Sequence, residues 1–295
     1  LGLSAPAFAI DDDGVAAALK QRLDGDRTGA CLAVAVVEAG GVSRAYGCAD
    51  GQAAPRVGAK TAFEIGSVSK TMVAALLAQE ILAGGVSLDD PLADWLPEGT
   101  TLPDFEGQPI LLRHVVTHTS GLPALPPGVA IADPNNPYAA MNPKMLHVAL
   151  GRVQLSRAPG SAFEYSNFAL MLLSEALARR TGKDFEALLD ERLFVPLGMA
   201  GAYVDQRPDG ITAARGHAPN TQPVPAWTFK PGMAGVGGVR ATLDDMVAYV
   251  QGQLGDAPDN RVSALSLASQ RILQQVGAWA GIEARRLQPY EKMQV

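Results

Sequence analysis

An antiparallel sheet joined to a large helical lobe, an α+β arrangement, is the fold this 295-residue sequence predicts. Three observations carry it. Strand signals come first and a long series of helix signals follows. No strand–helix–strand alternation recurs, which excludes a parallel α/β sheet. No internal repeat is present, which excludes a solenoid or propeller.

The elements follow in order. Residues 30–38 and 41–48 read as two strands around a tight turn at Ala39-Gly40, where glycine tolerates positive φ. Counting outward from Glu38 opposite Gly41 places Cys31 opposite Cys48. That is a non-hydrogen-bonded pair, with Cα atoms ~4.5 Å apart and within disulfide reach. The two thiols are either bonded or free and half-buried. Two strands alone are marginally stable, so further strands are expected.

Ser67 to Ala83 reads as a long helix stopped by Gly84-Gly85, apolar nearly all round and therefore central. A short helix opens at Leu88-Asp89-Asp90-Pro91-Leu92 and ends before Pro97. Residues 110–117 and 143–150 read as further short helices. Ser166 to Arg180 reads as strongly amphipathic and closes at Thr181-Gly182, and Asp184 to Phe194 reads as another helix. The Pro- and Gly-rich stretch 205–237 reads as a long functional loop. Thr242-Leu243-Asp244-Asp245 caps a helix over 243–254, and a weaker helix covers about 263–276.

Composition narrows the function. The 31 glycines and 21 prolines exceed the average without approaching a disordered or collagen-like chain. With 24 Lys+Arg against 30 Asp+Glu, the net charge is −6 and the basic residues are scattered, which argues against a nucleic-acid partner. No apolar run reaches the ~18 residues of a membrane span. Met72 to Leu82, the most apolar stretch, is broken by Gln79 and Glu80. The cysteines form no CxxC, which excludes a zinc ribbon or thioredoxin-type site. Residues 1–9 read as the end of a signal peptide, with an A-x-A site at Ala7 and Ala9, so export to the periplasm or medium is expected.

Two motifs carry candidate chemistry. Ser67-Val68-Ser69-Lys70 places a hydroxyl and an amine at i and i+3 on one helix face. Burial lowers a lysine pKa, so Lys70 can accept the proton that a weak serine nucleophile must lose. Tyr165-Ser166-Asn167 precedes a helix, and a tyrosine beside a lysine is pushed toward phenolate and acts as acid and base. Taken singly, each motif reads more readily as a helix cap than as a catalytic group. Other motifs are weaker. His114 and His118 share the i, i+4 spacing of H-E-x-x-H zinc sites, but Val115 replaces the glutamate and no third ligand is evident. They read as a helix-end and a capping histidine. Gly235 to Arg240 is only loosely like a phosphate loop, and no nucleophile elbow occurs.

Together the motifs resemble the serine β-lactamase and penicillin-binding-protein superfamily. The similar branch contains class C β-lactamases, D-Ala-D-Ala carboxypeptidases and related esterases. Phe63 to Thr71 is similar to its nucleophile motif, and Tyr165-Ser166-Asn167 to its Y-x-N motif. Thr117 to Pro123, Ala158 to Ser161, Pro196 to Met199 and Gly237 to Thr242 with Asp245-Met246 also match, in family order, between about residues 30 and 255.

The resemblance implies an acyl-enzyme hydrolase. Ser67 is the expected nucleophile, and its N–H half of the oxyanion hole. Lys70 takes or relays the proton, Tyr165 is general base and then acid, and Asn167 binds the substrate amide. No metal or organic cofactor is expected. The substrate is a β-lactam, a D-Ala-D-Ala peptide or a small ester, and the protein a monomer. The alternative from another class is a non-catalytic peptidoglycan-binding relative. The helical lobe should span about 66–236, beside an α/β lobe begun by 10–65 and rejoined after 237. The site should lie between lobes, with Ser67 Oγ and the Tyr165 hydroxyl within ~6 Å.

One departure stands out. The family's third motif, Lys or His, then Thr or Ser, then Gly, is absent after Tyr165. Lys230-Pro231-Gly232 has the right ends, but its proline cannot donate to a central ladder. Residues 10–295 are therefore expected to be one two-lobed domain truncated at its C-terminal strands. An exposed edge on the strand pair, poor stability and little turnover are expected to follow.

Overall fold

The computed structural model describes residues 10–38, 41–49 and 56–254. The expected turn at Ala39-Gly40, the helix over 263–276 and the leader at 1–9 lie outside them. The described chain divides into two compact units, one of residues 10–61 and 242–254, the other of residues 62–241.

The first unit opens with helix α1, Asp12–Leu23, which no strong apolar periodicity in the sequence announces. Asp11 caps it, its carboxylate accepting the Gly14 N–H at 2.8 Å. Strands β1, Cys31–Glu38, and β2, Gly41–Cys48, pair antiparallel in the register counted from the sequence, Glu38 facing Gly41 and Cys31 facing Cys48. The two cysteines form a disulfide. The hairpin gains its stability from α1: Val15, Leu19 and Leu23, one turn apart, form a core with Ala45, and Leu32, Val34 and Val36 pack against it.

The second unit begins with strand β3, Thr61–Glu64, and helix α2, Ser69–Ala83. Helices α3, Leu112–Val116, α4, Pro143–Leu150, and α5, Asn167–Thr181, follow. Helix α6, Phe185–Leu189, continues through a π turn at Asp190–Phe194 into the short α7, Val195–Leu197. Strands β4, Thr212–Ala213, and β5, Arg240–Ala241, flank β3 in a three-stranded sheet ordered β4-β3-β5. Helix α8, Leu243–Leu254, returns the chain to the first unit. It is capped reciprocally, with Thr242 N–H donating to the Asp245 carboxylate at 2.8 Å and Asp245 N–H to Thr242 Oγ1 at 3.2 Å.

Burial exchanges the expected roles of the two long helices. Helix α5 is buried without interruption from Phe168 to Ala178, packed by α2, α3, α4 and α6. Its polar positions read as a solvent face because their partners are internal. Ser174 Oγ donates to the Gly232 carbonyl at 2.6 Å, and Glu175 lies beside Arg179 and His147. Helix α2 buries Met72, Val73, Leu76 and Leu77, yet leaves Leu82 86% exposed. The central helix of this unit is α5.

Candidate active site

The chain leaves β3 with Ile65 N–H donating to the Val239 carbonyl at 3.1 Å. Gly66 then turns at φ +53°, a left-handed value that glycine adopts without strain. Residues Gly66–Val68 form a 3-10 turn, and only at Ser69 does α2 begin. Ser67 thus sits exposed in the turn before the helix rather than on its first residue. The one-turn spacing still brings Lys70 Nζ to 2.9 Å from Ser67 Oγ. Lys70 is only 7% exposed, and its second bond runs to the Val236 carbonyl at 2.5 Å. Burial pushes the amine below the ordinary lysine pKa, opposed by its hydrogen bond and charge interaction with Tyr165.

Tyr165 completes the group. Its hydroxyl donates to Ser67 Oγ at 2.8 Å, and its ring centroid lies 5.0 Å from Lys70 Nζ. The Ser67 oxygen therefore has a buried amine on one side and a phenol on the other. Tyr165 is held by a residue read from sequence only as a cap. His118, at φ +56°, lays its ring 4.3 Å from the Tyr165 ring at 32°. Its Nδ1 accepts the Ser166 N–H at 3.1 Å and its carbonyl the Glu164 N–H at 2.7 Å, bracing the chain on both sides of Tyr165. Burial, then the positive charge of Lys70, lowers the His118 pKa. His114 caps α3, its Nδ1 accepting the Leu111 N–H at 3.1 Å. Both histidines thus have Nδ1 occupied. Among the described residues no cluster of three or more metal-ligating side chains occurs.

Ser166 caps α5, accepting the Ala169 N–H at 3.0 Å and donating to the Pro123 carbonyl at 2.7 Å. The segment 117–123 is thereby tied to the Tyr-Ser-Asn triplet. Asn167, the first residue of α5, does not join the Ser67 group directly. Its Nδ2 donates to the Tyr138 hydroxyl at 3.1 Å. Tyr138 and the Val236 carbonyl are the contributors that motif reading missed. A backbone carbonyl has no residue signature, and Tyr138 lies in a loop without periodicity.

The Val236 carbonyl is set by the 3-10 turn Ala234–Val236. Ser174 Oγ accepts the Gly235 N–H at 3.2 Å while donating to Gly232, so one hydroxyl on α5 fixes both sides of the loop. Gly235 fits only as glycine, since an added Cβ would lie 2.4 Å from Val73 Cγ2. Lys230-Pro231-Gly232 forms a turn, with Met233 N–H donating to the Lys230 carbonyl at 3.1 Å, and belongs to no strand.

A family model described as Beta-lactamase matches residues 15–290. The chain belongs to the beta-lactamase family. Within that family it is 35% identical over 191 residues to the D-alanyl-D-alanine-carboxypeptidase/endopeptidase AmpH of Escherichia coli K12, an alignment covering 63% of this chain and 47% of AmpH. The chain thus spans about half of AmpH. It is 30% identical over 285 residues to the esterase EstB of Burkholderia gladioli, covering 84% of this chain and 72% of EstB. The fold matches a class C β-lactamase solved with cefoxitin, with a TM-score of 0.67 and 25% identity, over 90% of this chain and 68% of that one. A β-lactamase/D-alanine carboxypeptidase from Yersinia pestis, solved with citrate, gives a TM-score of 0.66 at 24% identity over 87% of this chain and 72% of that one. The α+β beta-lactamase fold expected from the sequence is the fold observed.

Proposed function

We propose that this member of the family is a serine hydrolase working through an acyl-enzyme on Ser67. The convergence of Lys70 Nζ and the Tyr165 hydroxyl on Ser67 Oγ, at 2.9 and 2.8 Å, carries the reading. In acylation Oγ bonds to the substrate carbonyl carbon and its proton passes to the Lys70–Tyr165 pair. Burial favours the neutral amine that accepts it. The C–N or C–O bond then breaks as Tyr165 protonates the leaving group. In deacylation water attacks the ester carbon and Tyr165 takes its proton, and the acyl–Oγ bond breaks as Tyr165 passes that proton to Ser67 Oγ.

The substrate is a β-lactam amide or a D-Ala-D-Ala peptide, with Asn167 holding the amide of the acyl side chain. The alignment with AmpH supports the peptide. A carboxylesterase using the same residues is the second reading, supported by the alignment with EstB over 84% of the chain. Joint retention of Ser67, Lys70, Tyr165 and Asn167 weighs against a non-catalytic peptidoglycan-binding relative. The protein acts as an exported monomer. Nitrocefin, short-chain p-nitrophenyl esters and a D-Ala-D-Ala peptide, compared on one preparation, decide among the substrates. Equal turnover by Ser67→Ala on the preferred one overturns the mechanism.

A further inference from the structure

Trp227 is 40% exposed, yet its backbone and its neighbours are fixed. Its N–H donates to Glu64 Oε1 at 2.8 Å and its carbonyl accepts from Arg240 Nη2 at 2.6 Å. The next residue, Thr228, is clamped by Asn136, whose Oδ1 accepts the Thr228 N–H and whose Nδ2 donates to Thr228 Oγ1, both at 2.9 Å. Beneath the indole, Tyr138 packs edge-on at 5.4 Å and 62°, and Phe229 stacks on Tyr138 at 5.2 Å and 20°. Tyr138 and Phe229 are buried. A lone exposed aromatic residue on a surface loop needs no explanation. One held by two backbone hydrogen bonds over a buried aromatic pair is preorganised, so a ligand stacking on it loses little of its gain to loop ordering.

The cluster is continuous with the reacting residues. The Tyr138 hydroxyl accepts from Asn167, and the charge of Tyr165 reaches that hydroxyl, adding to burial in raising its pKa. Glu64, which holds Trp227, lies three residues before Ser67. From this juxtaposition we propose that Trp227, backed by Tyr138 and Phe229, is a specificity platform for the acyl side of the substrate. It takes a flat apolar acyl substituent, an aryl ring above all, beside the Asn167 amide site. The inference rests on the hydrolase reading above and names the substrate class of that same site. An aromatic contact adds a modest amount beyond area burial, so the preference is about tenfold rather than absolute.

The test uses p-nitrophenyl acetate and p-nitrophenyl phenylacetate, which share a leaving group and differ only in the acyl side. In the wild type, kcat/KM should favour phenylacetate. In Trp227→Ala the phenylacetate-to-acetate ratio should fall about tenfold, equivalent to ~1.4 kcal/mol, while Trp227→Phe keeps most of it. An unchanged ratio in Trp227→Ala overturns the platform. Binding separates this outcome from failure of the hydrolase reading. By calorimetry on Ser67→Ala, phenylacetyl-glycinamide should bind several-fold tighter than acetyl-glycinamide, and adding Trp227→Ala should remove the difference. Equal binding of the two amides overturns the platform whether or not the wild type hydrolyses esters. Ester turnover unaffected by Ser67→Ala overturns the hydrolase reading alone.

Discussion

Adding one methyl group at Gly235 should damage both stability and turnover. Its Cβ would stand 2.4 Å from Val73 Cγ2, 2.6 Å from Ser174 Oγ and 2.8 Å from Ser174 Cβ. Val73 on α2 and Ser174 on α5 are fully buried, so neither can swing into solvent. The loop must therefore back away from two packed helices. Overpacking of this kind costs about 1–3 kcal/mol. Retreat also pulls the Val236 carbonyl from Lys70, now at 2.5 Å, and a typical hydrogen bond contributes about 0.5–1.5 kcal/mol. Gly235→Ala should lower Tm by about 2–4 °C for each kcal/mol lost. It should also reduce kcat/KM beyond any loss of folded protein. Gly237→Ala is the control, because its Cβ meets Gly66 only at an ordinary 3.5 Å. Melting curves and steady-state kinetics on both variants, with Val73→Ala added to test coupling to Gly235→Ala, form the assay. Wild-type Tm and kcat/KM in Gly235→Ala, or equal losses in Gly237→Ala, refute the reasoning.

Lys70 gives a pH prediction. Its pKa is lowered by burial, so between that lowered value and the ordinary 10.5 the folded chain binds fewer protons than the unfolded one. Its contribution to stability grows as pH rises through that window, and Lys70→Met should remove the slope in denaturant titrations against pH. Turnover should rise along an alkaline limb below the ordinary lysine range, and Lys70→Arg, which cannot deprotonate, should lose about 10²–10⁴ in rate. The His118 pKa is lowered below 6.5, so its contribution is complete above 6.5 and is lost as pH falls through the folded value. His118→Asn keeps an acceptor and tolerates positive φ but removes the ring from Tyr165. Its circular dichroism should match the wild type while kcat falls about tenfold, less than the about 10²–10⁴ of acid–base catalysis itself because only the positioning of Tyr165 is lost. Cys31→Ser with Cys48→Ser opens a bridge of sequence separation 17 and should cost about 3 kcal/mol in unfolding titrations.

What the sequence revealed depended on how local the determining interaction is. The hairpin register follows from counting outward from a two-residue turn, and the Cys31–Cys48 pairing follows from the register. Ser67 and Lys70 meet because one helical turn separates them. The 2.8 Å approach of Tyr165 across 98 residues was legible only as a resemblance. Helix α1 gives a weak sequence signal because Val15, Leu19 and Leu23 are sparse among acidic, basic and alanine residues. Strands β4 and β5 are two residues long, too short to show a period of two. The buried character of α5 was hidden by Ser174 and Glu175, whose partners come from distant loops and helices. His118 looked like an ordinary cap, since neither its left-handed backbone nor its stacking on Tyr165 is written in nearby residues.

Covalent trapping tests the central claim most directly. The protein is mixed with a slowly released β-lactam or an activated ester, quenched in acid, and examined by intact mass and peptide mapping. The account predicts one acyl group per chain, carried by the peptide containing Ser67, and no adduct in Ser67→Ala. An adduct on another residue, or rapid turnover by Ser67→Ala, would contradict it.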